Sequence, residues 1–405
     1  MTISTLARSI RESATLALNE RAALLRAQGQ AVIHLGGGEP RNKAPFSAII
    51  ASSGCLVEGD VKYTPSDGTA GLKRAVIRYT EDNYGREVPA ANVIVSSGAK
   101  QALYNVLVSI VDPQDEVVML APYWVSYPEM VRMVRGVPVV VVPEDGRFVP
   151  RIDEIEAAFS SYTKALIVNS PNNPTGAVFS PELVAAIVEL CEERGVRLVM
   201  DDIYHRLVFD GVRAPSVYDY TDRDVDESMV VVVNGISKLY GMTGFRVGWT
   251  IAPRELVEVM KNVQAQTTSC PAAISMAAAE GALTGVQSTV ENLRLGIQNH
   301  RDVMLQELRA FEGVRVTKPL GTFYCLPDFS AFSHDSEELS RFLLDKALVV
   351  TVPGKEFGAE GHLRLSYCGS TKDVTEGVRR IRWALDPTAP NDIYIGDRRL
   401  VRDWL

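Results

Sequence analysis

Between residues 93 and 249 the chain keeps one rhythm: short runs, apolar apart from Glu116 and Arg197 at the start of two of them, alternate with longer amphipathic stretches. The runs cover residues 93–95, 116–120, 137–142, 165–168, 197–200 and 229–233, and valine dominates them. A strand that is apolar at every position is buried on both faces, as parallel strands joined by crossover helices are. The stretches between them predict helices opening at Ala99 and spanning 152–159 and 181–193. The expectation is an α/β fold with a mostly parallel sheet sandwiched by helices.

After residue 249 the pattern changes. Helices are predicted over 254–263, 272–283, 289–311, 336–347 and 372–385, with short strands at 314–316, 321–326, 349–351 and 362–367. Near the N-terminus, residues 10–28 read as an arm turning into a helix closed by Gly29, with a strand at 32–35; residues 72–84 are helical. The expected organisation is residues 1–45 as N-terminal arm and part of a small domain, 46–288 as the large domain, 289–386 as a smaller α+β domain, and 387–405 as a polar C-terminal tail on the surface or on a neighbour.

With 405 residues there is material for a large core. A net charge of −8 argues against a nucleic-acid partner. No apolar run reaches membrane-spanning length, and residues 1–15 hold no continuous apolar signal core. The five cysteines, Cys55, Cys191, Cys270, Cys325 and Cys368, lack disulfide or metal spacing and suit a reducing compartment, the cytoplasm.

Chemistry concentrates where the strand at 229–233 ends. Lys238 follows in a loop rich in glycine, serine and threonine, and Arg246 stands eight residues on. A lysine at the end of a buried strand loses its proton at modest cost and can attack a carbonyl to form a Schiff base. Ser237 and Arg246 suit a phosphate. An aldehyde and a phosphate on one small molecule point to pyridoxal 5′-phosphate. The strand at 93–95 leads through Ser97 and Gly98 into a helix opening at Ala99 and Lys100, a cradle for an anion. Neither a dinucleotide fingerprint nor a Walker loop is present. Trp124, in the aromatic cluster after the strand at 116–120, could stack on a flat ring. Asp201 ends another buried strand, where a carboxylate calls for a cationic partner. Asn173-Pro174 is a candidate cis bond, and three consecutive glycines, Gly36 to Gly38, bring backbone close to a ligand.

In order, the motifs read Y-T-P-S-D-G from Tyr63, S-G-A-K-Q-A-L from Ser97, P-Y-W-V-S-Y from Pro122, N-N-P-T-G from Asn172, D-D-I-Y from Asp201, S-K-x-Y-x-M-T-G-F-R from Ser237 and H-L-R-L-S-Y from His362. This set resembles the pyridoxal-phosphate-dependent class I aminotransferases of fold type I, and within them the bacterial aspartate aminotransferases. The resemblance implies a seven-stranded, mostly parallel sheet and a homodimer with active sites shared across the interface. It assigns Lys238 as Schiff-base lysine and proton shuttle. Arg246, Ser237, the Ser97, Gly98, Ala99 and Lys100 segment and, from the other subunit, Tyr63 would hold the phosphate. Trp124 would stack on the ring, Asn173 and Tyr204 would bond its phenolic oxygen, and Asp201 would pair with its nitrogen.

The resemblance also implies amino-acid and 2-oxo-acid substrates. Arg364, with Asn173 and the Gly38 backbone, would take the α-carboxylate. Lys100, Ser13 and Thr15 would take the distal carboxylate of aspartate or glutamate; a prephenate, aromatic or other amino-acid aminotransferase stays open as an alternative, as does a β-lyase on the same fold. Three departures stand out: Gly38-Glu39-Pro40-Arg41-Asn42 for the usual G-E-P-D-F, Asp202 for a glutamate, and Cys270 for an asparagine.

Overall fold

A computed structural model describes residues 3–10, 14–395 and 398–404, the side chains of 14–16, 145 and 398 left aside. The helices are α1 Thr5–Ser9, α2 Ala14–Ala27, α3 Phe46–Glu58, α4 Ala70–Tyr84, α5 Ala99–Ile110, α6 Ser126–Met133, α7 Ile152–Glu156, α8 Pro181–Arg194, α9 Arg254–Thr267, α10 Ala273–Thr284, α11 Ser288–Arg309, α12 Ser336–Ala347 and α13 Thr371–Leu385. The strands are β1 Ile33–His34, β2 Val93–Ser96, β3 Glu116–Leu120, β4 Val137–Val141, β5 Thr163–Val168, β6 Arg197–Asp201, β7 Val230–Gly235, β8 Gly248–Ile251, β9 Tyr324–Cys325, β10 Val349–Val350, β11 Val352–Pro353, β12 Leu363–Ser366, β13 Asp392–Ile395 and β14 Arg398–Val401.

The main sheet has seven strands in the order β2-β8-β7-β6-β5-β3-β4. All its pairings are parallel except those of β8, which runs against both β2 and β7. Because β8 opposes both neighbours, β2 still points the same way as β7, and the strand ends leading into loops gather along one edge. The strand period of two sorts the core cleanly. Val117, Met119, Ala165, Ile167, Val199, Val231 and Val233 face Leu103 of α5, Met130 of α6 and Met260 of α9. Their alternates Val118, Leu120, Leu166, Val168, Leu198, Met200 and Val232 face Ile155 of α7 and Ile187 of α8. The sandwich expected from the sequence is therefore present, with β8 as an antiparallel strand that the sequence pattern left inside the lysine loop.

Two further features were not anticipated. Helix α3 crosses α10 closely: a side chain on Gly281 would stand 2.6 Å from the Ser47 carbonyl oxygen, so only glycine permits the approach. The described residues after 387 include regular structure that the sequence pattern did not show. β13 and β14 form an antiparallel hairpin that carries Trp404 onto Trp383 of α13 and Phe342 of α12, with ring centroids 5.4 Å apart in both pairs. The strand expected at 314–316 reduces to a single bridge between Arg315 and Asp328.

Smaller sheets and helices complete the fold around residues 289–386. β11, β12 and β9 form a three-stranded antiparallel sheet, and β1 pairs in parallel with β10. The N-terminal helix α2 joins them by its apolar stripe, Leu18, Ala22 and Leu25, laid on Val32, Leu344, Leu348 and Val350. Among the described residues no helix is long and apolar enough to cross a membrane.

Candidate active site

The loops at the C-terminal ends of β2, β3, β5, β6 and β7 converge, as they do in open α/β sheets, on a cavity of about 300 Å³. Gly38, Ala99, Lys100, Trp124, Asn173, Asp201, Tyr204, Ser237, Lys238, Arg246 and Arg364 all line it.

Lys238 leaves β7 by three residues, and its Nζ donates to the Gly38 carbonyl at 2.7 Å. Burial outweighs every nearby charge and brings the ammonium pKa down to about 8; Cys368 opposes the shift and Arg364 adds to it. Asp201, the last residue of β6, is 4% exposed. Its Oδ2 accepts from Tyr127 Oη at 2.7 Å. Burial lifts the carboxyl pKa to about 6, with the tyrosine bond working the other way. Such a group gains strongly from a buried cation beside it. Tyr204, also buried, sits edge-on to Phe323 with centroids 5.6 Å apart; burial drives its phenol pKa well up.

Arg364 projects from β12 into the same space and is 3% exposed. Its Nη1 donates to Asn173 Oδ1 at 3.0 Å and its Nη2 to the Gly36 carbonyl at 2.9 Å. The guanidinium lies 4.3 Å from the centroid of Tyr324. Its Nε is buried with no hydrogen-bond partner among the described residues. The peptide bond between Asn173 and Pro174 is cis, as the sequence suggested.

One residue before the cavity-lining Ala99, Gly98 enters α5 with φ +92°, and a β-carbon there would stand 2.4 Å from Arg246 Nη2. The missing side chain makes the notch into which Arg246 fits. Ser97 N–H donates to Gln101 Oε1 at 2.5 Å and Gly98 N–H to the Ser96 carbonyl at 2.7 Å. Ala99 and Lys100 then offer the first-turn amides, which have no acceptor within the helix. Lys100 Nζ lies 4.8 Å from the Trp124 ring centroid, and its pKa is lowered by burial and by Arg246.

Several expected residues lie elsewhere. Tyr63 does not line the cavity and is 89% exposed on this chain. Ser13 lies outside the described residues, as does the side chain of Thr15. Arg41 is outside the cavity lining and pairs with Asp373 at 2.6 Å. Sequence reasoning gave no role to Tyr127, Tyr324 or Asn169, and it read Gly36 only as part of a glycine turn that comes close to a ligand. Tyr127 was visible in the aromatic cluster and Asn169 in the N-S-P-N-N-P-T-G run; Tyr324 carried no local signal.

The residues present suit pyridoxal phosphate: a lysine amine of lowered pKa, a buried carboxylate in need of a cation, a glycine notch holding an arginine at a helix start, and a guanidinium with an unmet donor. With the sheet order, they define the class, a fold type I pyridoxal-phosphate-dependent transferase. The family model for aminotransferase class I and II matches residues 32–381. A probable aspartate/prephenate aminotransferase of Aquifex aeolicus is 37% identical over 383 residues, 93% of this chain and 97% of that protein. The aspartate aminotransferase of Geobacillus stearothermophilus is 36% identical over 387 residues, 94% of this chain and 98% of that one. Among solved structures, the aspartate aminotransferase of Thermus thermophilus with maleate superposes with a TM-score of 0.89 at 37% identity, covering 94% of this chain and 99% of that one. The chain belongs to the aminotransferase class I and II family and is a pyridoxal-phosphate-dependent transaminase.

Proposed function

We propose that this enzyme moves an amino group between aspartate or glutamate and 2-oxoglutarate or oxaloacetate in two half-reactions. The observation that carries the reading is a single cavity of about 300 Å³ lined by the Lys238 amine, the Arg364 guanidinium and the Lys100 ammonium. One reactive amine with two separate carboxylate acceptors suits a dicarboxylic amino acid. The names of the relatives from Aquifex aeolicus and Geobacillus stearothermophilus agree with it.

Pyridoxal phosphate, when bound, supplies a carbonyl for amine exchange and a ring that takes up the electron pair left by the α-proton. The protein's part is to hold and to move protons. Arg246, Ser237 and the segment Ser97, Gly98, Ala99 and Lys100 would hold the phosphate, with the first-turn amides and helix dipole favouring the anion. Asp201, oriented by Tyr127, would keep a proton on the ring nitrogen. Asn173 and Tyr204 would bond the phenolic oxygen, and Trp124 would cover the ring face. Arg364 would fork onto the α-carboxylate beside Asn173 and Gly38. Lys100, Ser13 and Thr15 would hold the distal one. Lys238, with its lowered pKa, would attach the cofactor, then take the α-proton and return it.

The exposed apolar residues Phe46, Val57 and Tyr63, at 77%, 86% and 89% exposure, suit burial against a second copy. A homodimer would bring the other subunit's Tyr63 to the phosphate. Residues 46–288 would be the cofactor-binding domain, 1–45 and 289–386 the small domain, and 387–405 a C-terminal addition to it. The net charge of −8 fits the absence of a nucleic-acid partner, and the five cysteines without disulfide or metal spacing fit a cytoplasmic enzyme.

Single-turnover bleaching of the cofactor absorbance by a panel of amino acids tests the reading. Aspartate and glutamate should react fast and aromatic or branched amino acids slowly, and Lys100→Ala should erase the preference. A preference for aromatic donors would overturn it. Prephenate is the second acceptor to assay, because the Aquifex aeolicus relative carries it in its name.

A further inference from the structure

His34 closes β1, and its ring lies between helix α2 and the glycine turn. Its Nε2 stands 2.6 Å from Oδ1 of Asn19 on α2. A carboxamide oxygen only accepts, so Nε2 carries the hydrogen and Nδ1 is left as a bare lone pair. That buried Nδ1 has no hydrogen-bond partner among the described residues. Cε1 and Nδ1 lie 3.4 Å and 3.6 Å from the points where side chains would leave Gly36 and Gly37. The ring therefore packs against the turn.

The turn it supports touches both ends of the chemistry. The Gly36 carbonyl accepts from Arg364 Nη2 at 2.9 Å, and the Gly38 carbonyl accepts from Lys238 Nζ at 2.7 Å. The charged groups near the imidazole are Arg26 of α2, Arg364 of β12 and Arg41 of the following loop, all cations. Burial, then Arg26, lowers the ring's pKa to about 4, so it stays neutral near pH 7. A neutral ring can sit among three guanidinium groups where a charged one would be repelled.

We propose that His34 is a positioning residue that ties Asn19 to the Gly36–Gly37 turn and so fixes the carbonyl that aims Arg364 at the substrate. The inference rests on reading Arg364 as the α-carboxylate fork. Among the described residues Arg364 has one backbone anchor, the Gly36 oxygen, besides the Asn173 side chain. Loosening the turn would let the guanidinium swing away from its aim. The effect falls on binding shared by ground and transition states, so it should appear in KM rather than kcat.

The test compares holoenzyme variants His34→Leu, His34→Gln, Asn19→Leu, the His34→Leu/Asn19→Leu pair and Arg364→Leu. Calorimetry gives the Kd for succinate, a dicarboxylate that cannot react, and steady-state assays give KM and kcat for aspartate. Losing one such tie should raise Kd and KM about tenfold and leave kcat within about twofold in His34→Leu. His34→Gln, whose amide N–H replaces Nε2–H, should restore most of the affinity. Asn19→Leu should match His34→Leu, and the pair should be no worse than either alone. Should His34→Leu fail to fold, Asn19→Leu decides. An unchanged succinate Kd in the single variants, while Arg364→Leu loses binding, overturns the strut alone. Additive losses in the pair do the same. Retained binding in Arg364→Leu overturns the Arg364 reading and this inference with it.

Discussion

Asp201 and Asp202 are neighbours in sequence, yet their carboxyls answer to different partners: Tyr127 of α6 donates to Asp201, and Tyr84 of α4 bonds Asp202. Both are buried, at 4% and 2% exposure. Only Asp201 lines the cavity.

That split predicts opposite consequences for the same substitution. Asp201→Asn removes the negative charge proposed to keep the ring nitrogen protonated, and kcat should fall at least a hundredfold, the scale of a lost electrostatic stabiliser. Asp202→Asn should keep most of the activity, because burial raises the Asp202 pKa to about 8 and the group is mainly neutral already. The sign for stability follows from the same shift. The folded state holds a proton on Asp202 that the unfolded chain releases above about pH 4, so the contribution of Asp202 to stability is lost as pH rises from about 4 to 8. Asp202→Asn cannot ionise and should escape that slope. Denaturant midpoints of both proteins at pH 5 and pH 8 check it; parallel pH dependence would contradict it.

Gly98→Ala should damage cofactor retention. An alanine there must adopt φ +92° and would push against Arg246 Nη2, 2.4 Å from its β-carbon. The backbone strain costs about 1–3 kcal/mol. The arginine can move aside, but then it leaves the proposed phosphate site. Equilibrium titration of cofactor into the stripped enzyme should show at least a tenfold weaker Kd, and an unchanged Kd would contradict the role given to this notch.

The C-terminal hairpin should serve stability and not turnover. Trp404 lies edge-on to Trp383 and Phe342, its Nε1 donates to the Ala384 carbonyl at 3.4 Å, and Lys346 Nζ is 5.3 Å from its ring centroid. It is only partly buried, so Trp404→Ala should cost about 2 kcal/mol, below the range for a fully buried tryptophan. Urea denaturation together with kcat measures both quantities. Unaltered stability, or a large fall in kcat, would contradict the assignment.

The sheet was legible because its strands are buried on both faces and announce themselves as unbroken apolar runs; β3 falls on the residues expected, 116–120. α3 was not, since within one chain only Ala48 of that helix is buried and its large apolar residues face outward. The hairpin was missed because its polar composition hides two residues that settle it, Trp404 and the buried Arg402. Lys238 and Asp201 could be read locally, each sitting just past or at the end of an apolar strand. Arg364 could not, because its importance comes from contacts with Gly36 and Asn173, 328 and 191 residues away in sequence. The resemblance to a family supplied it; no pattern around residue 364 would have.

Lys238 is the amine proposed to hold the cofactor, and every other role in the site depends on it. Borohydride reduction of the holoenzyme, followed by proteolysis and peptide mass spectrometry, tests this directly. The predicted result is a reduced phosphopyridoxyl group on Lys238, absent from Lys238→Ala, which should also lose turnover. The same group on another lysine, or an active Lys238→Ala enzyme, would contradict the account.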